Sequence, residues 1–170
     1  SLRQRAAASV GKEKHDLLMR IAMSTNDIAD WDATLNDAID RCDTPAICRS
    51  RLNRIQCLFN FYSVDSAIIE ARESLPFILN AKQYSFYFST YNTFISGLFK
   101  QRRFDEAREE ATTMFETAQQ VKQPVGMTMA LQVQGSMYYK LGLYDQALTS
   151  LEKGIAICPT YENGENQVLY

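Results

Sequence analysis

A four-residue pattern recurs along the chain at intervals of 40 residues. In each copy an apolar residue is followed by aspartate, one variable residue and alanine, and the copies end at Ala67, Ala107 and Ala147. Further upstream, a large apolar residue precedes an aromatic one at the same spacing, at positions 58–59, 98–99 and 138–139. A fixed period of about 20 to 50 residues is typical of repeat proteins. The sequence therefore predicts an array of similar units that pack mainly on their neighbours.

The last copy of the pattern predicts a helix, a tight turn and a second helix. Gly142 follows an apolar run and can adopt the left-handed conformation that ends a helix. The next helix is expected to begin near Tyr144, with Asp145 in its first turn, where a negative charge is favourable. Ala147 is expected where the two helices cross closely. Pro159 is expected to end the second helix, because proline has no N–H for the helical ladder.

The rest of the chain is expected to form further helix pairs. The predicted domain spans residues 1–170 and divides into an N-terminal hairpin, three repeats and the start of a further unit or tail, at 1–43, 44–80, 81–122, 123–159 and 160–170. In the N-terminal hairpin, apolar residues keep a helical spacing at Val10, Leu17, Ile21, Ile28, Trp31, Leu35, Ala38, Ile39 and Cys42. Thr44 and Pro45 are predicted to cap and begin the next helix. Because the chain starts with serine and not methionine, and its last residues resemble the beginning of another repeat, we expect it to belong to a longer protein.

The last repeat resembles the tetratricopeptide repeat (TPR) family. The family's large and small positions are matched by Leu131, Gly135, Tyr138, Gly142, Tyr144, Ala147, Leu151 and Pro159. Gly154 departs from the pattern, where alanine is usual, and Ile95 and Arg102 replace the glycines in the preceding repeat. The 40-residue period exceeds the family's usual 34, so the chain looks like a long-helix variant of the kind found in bacterial sensory and regulatory proteins. The resemblance implies an all-α superhelix of about four helical hairpins.

The resemblance also implies a concave groove lined by the first helix of each hairpin. The corresponding positions carry amides, hydroxyls, aromatic rings and two lysines, at Gln56, Phe59, Asn60, Asn92, Ser96, Phe99, Lys100, Gln132, Ser136, Tyr139 and Lys140. Such a mixture suits a peptide or a polar ligand. For the three aromatic residues the alternative is packing between neighbouring repeats, since aromatic residues at helical spacing often belong to a core.

Composition and charge argue against several classes of function. The formal charge of −2 lacks the basic excess that is usual for nucleic-acid binding. No apolar run approaches the length of a membrane-spanning helix. The six aspartates between residues 27 and 43 have no central glycine, so they are interpreted as first-turn and solvated residues and not as a calcium loop. Arg49, Arg51 and Arg54 are interpreted as surface or partner-contact residues.

No catalytic constellation is visible in the sequence. The chain has one histidine, His15, which is surrounded by charged residues and is expected to be exposed. The cysteines are interpreted as reduced thiols in or near the core, although Cys42 and Cys48 are close enough in sequence to form a disulfide. We therefore predict no enzyme activity, no metal and no cofactor.

The sequence predicts a non-catalytic binding or scaffold module. Its partner would be a protein, a peptide or a small polar ligand in the groove, and its context would be the sensing or interaction domain of a larger bacterial regulatory protein, periplasmic or cytoplasmic. The alternative is a structural oligomerisation module whose end repeats stack on another copy.

Overall fold

The computed structural model describes residues 1–157, and this part of the chain is helical, with no strand. It contains nine α-helices and one π-helix: α1 (Leu2–Ala8), α2 (Gly11–Thr25), α3 (Ile28–Asp40), α4 (Thr44–Cys57), the π-helix (Leu58–Tyr62), α5 (Val64–Asn80), α6 (Tyr84–Lys100), α7 (Phe104–Gln120), α8 (Pro124–Lys140) and α9 (Tyr144–Ile157). The predicted all-α class is confirmed, as is the start of α9 at Tyr144. The predictions for Cys158, Pro159 and residues 160–170 lie outside the described residues.

The 40-residue period of the sequence corresponds to two helices of equal length. From α4 onward, helices begin at residues 44, 64, 84, 104, 124 and 144. Each of α5, α6, α7 and α8 is 17 residues long, which leaves three residues for each turn between them. The repeating structural element is therefore a helix and a turn of 20 residues in total.

The turns that follow α3, α5, α6, α7 and α8 each contain a left-handed residue that ends the preceding helix. After α8, the Gly142 N–H donates to the Tyr139 carbonyl at 3.0 Å and the Leu143 N–H donates to the Tyr138 carbonyl at 2.9 Å. This is the Schellman motif, in which a left-handed residue ends the helix. The predicted role of Gly142 is confirmed by its φ of 77°. Positive φ recurs at the equivalent positions Cys42, Lys82, Arg102 and Lys122.

The chain forms two compact units. The first unit spans Ser1–Arg102 and the second begins at Arg103. Within the first, each helix from α1 to α4 packs on the next one, and α4, α5 and α6 pack on one another. Within the second, α8 packs on both α7 and α9. The predicted repeat boundaries stay a prediction.

Small residues allow close helix packing within each unit. In the second unit, a Cβ atom added to Gly135 would lie 2.7 Å from Leu151 Cγ and 3.4 Å from the Ala147 carbonyl oxygen. The predicted close crossing of α8 and α9 at Ala147 is therefore confirmed. In the first unit, a Cβ atom on Gly97 would lie 2.8 Å from Ile68 Cγ1. These contacts leave no room for a side chain beyond hydrogen unless a neighbour moves.

The N-terminal hairpin differs in detail from its prediction. A short helix, α1, precedes α2, and Val10 is exposed at the N-cap position of α2, so it does not belong to an apolar helical face. Asp43, and not Thr44, caps α4, because its carboxylate accepts the Ala46 N–H at 3.1 Å. This hydrogen bond is the main cause that lowers the pKa of Asp43 below its usual value, and the Arg41 guanidinium acts in the same direction.

The predicted exposure of His15 is wrong. The side chain is buried, and its Nδ1 lies 3.2 Å from Asp37 Oδ2. Asp37 is also buried and contacts two further cations, with Arg41 Nε at 3.1 Å and Lys14 Nζ at 3.6 Å. Three positive or protonatable groups on α2 and the end of α3 therefore converge on one carboxylate.

The aspartates between residues 27 and 43 are not all solvated. Asp30, like Asp37, is buried, and it accepts two hydrogen bonds of 2.8 Å from the Arg3 guanidinium on α1. The Arg3 guanidinium is the main cause that lowers the pKa of Asp30. Asp27 caps α3 by accepting the Ala29 N–H at 2.9 Å. Asp30 lies in the first turn of α3, as predicted, but the interpretation as solvated residues is wrong for Asp30 and Asp37.

Two of the three clustered arginines, Arg51 and Arg54, contact other side chains within the first unit. Arg54 donates to Asp32 at 2.6 Å and also to Glu70, and the Arg51 guanidinium lies 4.9 Å from the centre of the Phe77 ring. Only Arg49 is exposed, as predicted for the cluster. The three described cysteines are free, with Cys48 and Cys57 buried and Cys42 exposed, so the prediction of a core position is wrong for Cys42.

Candidate binding sites

The predicted groove residues of the first unit lie on α4, the π-helix and α6. Five of them are half-buried and two, Asn60 and Lys100, are exposed. The half-buried residues are Gln56, Phe59, Asn92, Ser96 and Phe99. Lys100 Nζ lies 4.9 Å from the centre of the Phe59 ring, which is the distance of a cation–π contact. The structure thus brings together two predicted groove residues that come from different helices.

The predicted groove residues of the second unit lie on α8 and are exposed: Gln132, Ser136, Tyr139 and Lys140. The Tyr139 ring is centred 5.7 Å from the Tyr144 ring, at a tilt of 59°. This pair joins the end of α8 to the start of α9. Both rings are largely exposed, so they offer aromatic contact area at the surface of the unit.

A cavity of about 210 Å³ lies in the first unit, beside the π-helix. It is formed by the turn after α2, the start of α3, the last turn of α4 and the π-helix itself. Two predicted groove residues, Gln56 and Asn60, line it. The other lining residues are Met23, Asn26, Trp31, Asn53, Cys57 and Phe61. The cavity therefore combines four carboxamides with aromatic, thioether and thiol groups.

Hydrogen bonds to one carbonyl hold the cavity walls together. The Cys57 thiol donates to the Asn26 carbonyl at 3.3 Å, and the Tyr62 hydroxyl donates to the same carbonyl at 3.4 Å. The Tyr62 oxygen also accepts the Ile28 N–H at 3.2 Å. Asn26 is in the left-handed conformation, with φ of 52°, which ends α2 and exposes this carbonyl to both donors. The π-helix is thereby attached to the turn between α2 and α3.

The π-helix replaces a regular turn at this point. The 20-residue pattern would place a left-handed residue at position 62, between those at 42 and 82. Instead the backbone continues through residues 58–62 in a wider helix, and the Ser63 N–H donates to the Leu58 carbonyl at 2.9 Å. A π-helical turn is uncommon and is frequently found at functional sites. It leaves Phe61 and Tyr62 exposed beside the cavity.

The floor of the cavity is buried and uncharged. Trp31 and Cys57 pack with Met19 and Ala22 in one apolar cluster. Burial is the main cause that raises the pKa of the Cys57 thiol, and the Asp27 carboxylate raises it further, against smaller opposite effects of Arg54 and the Trp31 indole. The thiol is therefore a poor nucleophile at neutral pH. The indole Nε1 of Trp31 is buried and interacts with the Cys57 thiol, and it has no oxygen or nitrogen acceptor among the described residues.

A second candidate surface runs along α9 in the second unit. Tyr144, Leu148, Leu151 and Ile155 are 64%, 58%, 40% and 75% exposed. Their spacing of four, three and four residues places them on one stripe of the helix. The adjacent face, formed by Ala147, Ser150 and Gly154, is buried. Two flanking turn residues, Leu141 and Leu143, are also exposed. An apolar stripe of this length on a helix surface is typical of an interface.

Sequence reasoning missed most of both surfaces. It named Gln56 and Asn60 as groove residues and gave no binding role to the other cavity residues. Three of these, Met23, Asn26 and Trp31, come from α2, α3 and the turn between them, which the sequence does not place beside α4. One local signal was available. The 20-residue spacing places a turn at position 62, and that position holds a bulky aromatic residue, Tyr62. The chain matches no protein-family model and has no significant match among curated proteins.

Among residues 1–157, no group of three or more histidine, cysteine, aspartate or glutamate side chains is arranged to hold a metal ion. None of the described helices combines the length and apolar character that a bilayer-spanning segment needs.

Proposed function

We propose that the chain is a non-catalytic binding module that recognises a protein or peptide. In this proposal the helices form hairpins that stack as a TPR-like superhelix, and the predicted groove residues line its concave side. The module would serve as the sensing or interaction part of a larger bacterial regulatory protein. The 20-residue alternation of helices and identical turns supports the proposal, because such regular elements build stacked arrays.

The observation that carries the proposal is the apolar stripe of α9. Four large side chains on one stripe remain largely exposed, while the neighbouring small residues are buried against α8. Burying a side chain of this size contributes about 1.5–3 kcal/mol. Covering the stripe with an apolar partner is therefore favourable by several kcal/mol before the costs of association are subtracted.

The same stripe supports the alternative, a structural oligomerisation module. The spacing of four, three and four residues is symmetric about its centre. In an antiparallel pair of α9 helices, Tyr144 would therefore face Ile155 and Leu148 would face Leu151. Such self-complementarity is what a two-fold symmetric dimer requires. The acidic residues Asp145 and Glu152 flank the stripe and would approach each other in this pair, which weakens the alternative.

Site-specific photo-crosslinking distinguishes the two functions. We would place a benzophenone amino acid at position 148, on the stripe, and, as a matched control, at Lys153, which is exposed on the opposite side of α9. The proposal predicts adducts with a different protein from position 148 and none from position 153. The adduct protein, once purified, should bind the wild-type chain and lose binding to Leu148→Ser.

Two other crosslinking results would lead to different conclusions. Adducts that join position 148 to α9 of a second copy would establish the oligomerisation module instead. Equal adducts from both positions, or none from either, would overturn the proposal that this face binds a partner.

A further inference from the structure

We propose that the cavity beside the π-helix binds one apolar side chain of a peptide together with its uncharged backbone amides. This inference deepens the proposed binding function by naming a second surface and its ligand chemistry. It draws on the first unit alone, whereas the apolar stripe belongs to the second.

The size of the cavity restricts the ligand. Sites for drug-sized molecules and cofactors usually measure about 300–1,000 Å³. The cavity of about 210 Å³ is smaller, so it fits a part of a larger ligand and not a whole cofactor. One side chain with its flanking amides is a part of suitable size. The rest of a peptide would extend over the exposed rim.

The polar wall of the cavity matches peptide amides. Asn26, Asn53, Gln56 and Asn60 each offer a carboxamide, which carries both donors and acceptors. A peptide backbone presents the complementary N–H and carbonyl groups at every residue. No aspartate, glutamate, lysine or arginine lines the cavity. An ionised ligand would therefore lose hydration there without gaining an opposite charge, which disfavours it.

The apolar part of the cavity favours a hydrophobic side chain. Trp31 forms a buried wall, and Met23 and Phe61 are 58% and 59% exposed at the rim. Methionine adapts its shape to a partner at little cost, and aromatic side chains provide large contact areas.

Intrinsic fluorescence provides a direct test, because Trp31 is the only tryptophan of the chain. The probe is N-acetyl-phenylalaninamide, which carries one apolar side chain between two uncharged amides. Excitation at wavelengths absorbed by tryptophan alone should show a saturable change in Trp31 emission at millimolar probe, the range expected for a ligand of this size. N-acetyl-phenylalanine, which carries a carboxylate, should bind at least about tenfold more weakly, because the cavity has no cation to pair with it.

Paired variants locate the site. Gln56→Ala with Asn60→Ala should weaken probe binding about tenfold, since lost amide hydrogen bonds of this kind have that effect. Gln101→Ala, an exposed amide in the turn after α6, should bind as the wild type does. Helical circular dichroism checks that each variant is folded. As a second measurement, saturating probe should slow the reaction of Cys57 with a thiol reagent and leave the reaction of exposed Cys42 unchanged.

Three results would overturn the inference: no saturable change in Trp31 emission, equal affinity for the two probes, or unchanged affinity in the double variant. Failure here combined with adducts from position 148 would remove the cavity site and leave the proposed function in place. Absence of adducts from position 148 combined with specific probe binding would overturn the proposed partner-binding face on α9 and leave the cavity site in place.

Discussion

The described chain has an irregular region, residues 1–63, and a regular one, residues 64–157. In the irregular region the α-helices have 7, 15, 13 and 14 residues, and a π-helix ends the region. In the regular region four successive helices have 17 residues each, and the turns between them repeat one geometry. The helix and turn boundaries of the regular region therefore follow from local sequence, whereas the structure of the irregular region depends on contacts between residues distant in sequence.

The two regions are also held together differently. Buried aspartates connect the N-terminal helices, since Asp30 binds Arg3 and Asp37 binds His15 and Arg41. In the regular region, the close approaches involve glycine and alanine, as at Gly97 and Gly135. Ion pairs fix particular partners, while glycines allow α6 to approach α5 and α8 to approach α9. The cavity beside the π-helix lies in the irregular region, whereas the apolar stripe of α9 lies in the regular one.

The largest effect is expected at the buried carboxylate of the irregular region. Asp37→Asn should lower the free energy of unfolding by about 3 kcal/mol, because it leaves His15 and Arg41 beside a neutral amide in a buried site. Asp40→Asn, an exposed change on the same helix, is the control and should have little effect. Urea denaturation measures both. Equal stability of the two variants would show that the charges do not hold this region together.

The next effect tests close packing in the regular region. Ala147→Leu should lower the free energy of unfolding by roughly 2 kcal/mol, because the larger side chain forces α8 and α9 apart. Gln146→Leu adds a similar side chain at an exposed position and serves as the control. Ala107 is also fully buried, and the same substitution there should be similarly destabilising. A melting temperature unchanged from wild type in Ala147→Leu would contradict the assignment of this crossing.

A smaller effect separates two buried helical glycines. Gly97→Ala should destabilise the chain by about 1 kcal/mol, because the new methyl group meets Ile68, which is buried and cannot move away. Gly135→Ala meets Leu151, which is 40% exposed and can shift, so the better helix propensity of alanine should offset the contact. Thermal unfolding of both variants measures the difference. The reverse order of stability would contradict this account of the crossings.

Much of the regular region is predictable from the sequence because its determinants are local. Gly142 specifies a left-handed residue, and the recurring alanine marks a close contact at Ala147. The irregular region is less predictable. His15 lies among charged neighbours in the sequence, yet the helical turn directs it inward to Asp37, which is 22 residues away. The cavity lies where the chain continues as a π-helix instead of forming a left-handed turn at residue 62, and the hydroxyl of Tyr62 makes hydrogen bonds there to residues 34 and 36 positions away in sequence.

The smallest effect concerns the repeated turns. Lys122 has a φ of 55°, a conformation that costs a residue with a Cβ atom about 1 kcal/mol relative to glycine. Lys122→Gly should therefore stabilise the chain by somewhat less than 1 kcal/mol, since glycine also increases the entropy of the unfolded chain. Gly142→Ala, the opposite change at an equivalent turn, should destabilise it by about 1 kcal/mol. Shifts of the same sign in chemical denaturation would argue against a shared turn geometry.

The most direct test of the difference between the regions is the affinity of N-acetyl-phenylalaninamide for two glycine variants, followed by Trp31 emission. Tyr62→Gly removes the hydroxyl that holds the π-helix to Asn26 and Ile28 and permits the regular left-handed turn at that position. Lys82→Gly makes the same kind of change at a turn that is already left-handed. We expect at least about tenfold weaker binding in Tyr62→Gly and unchanged binding in Lys82→Gly, with both variants folded. Equal affinities in the two variants would contradict the claim that the irregular junction forms the binding site.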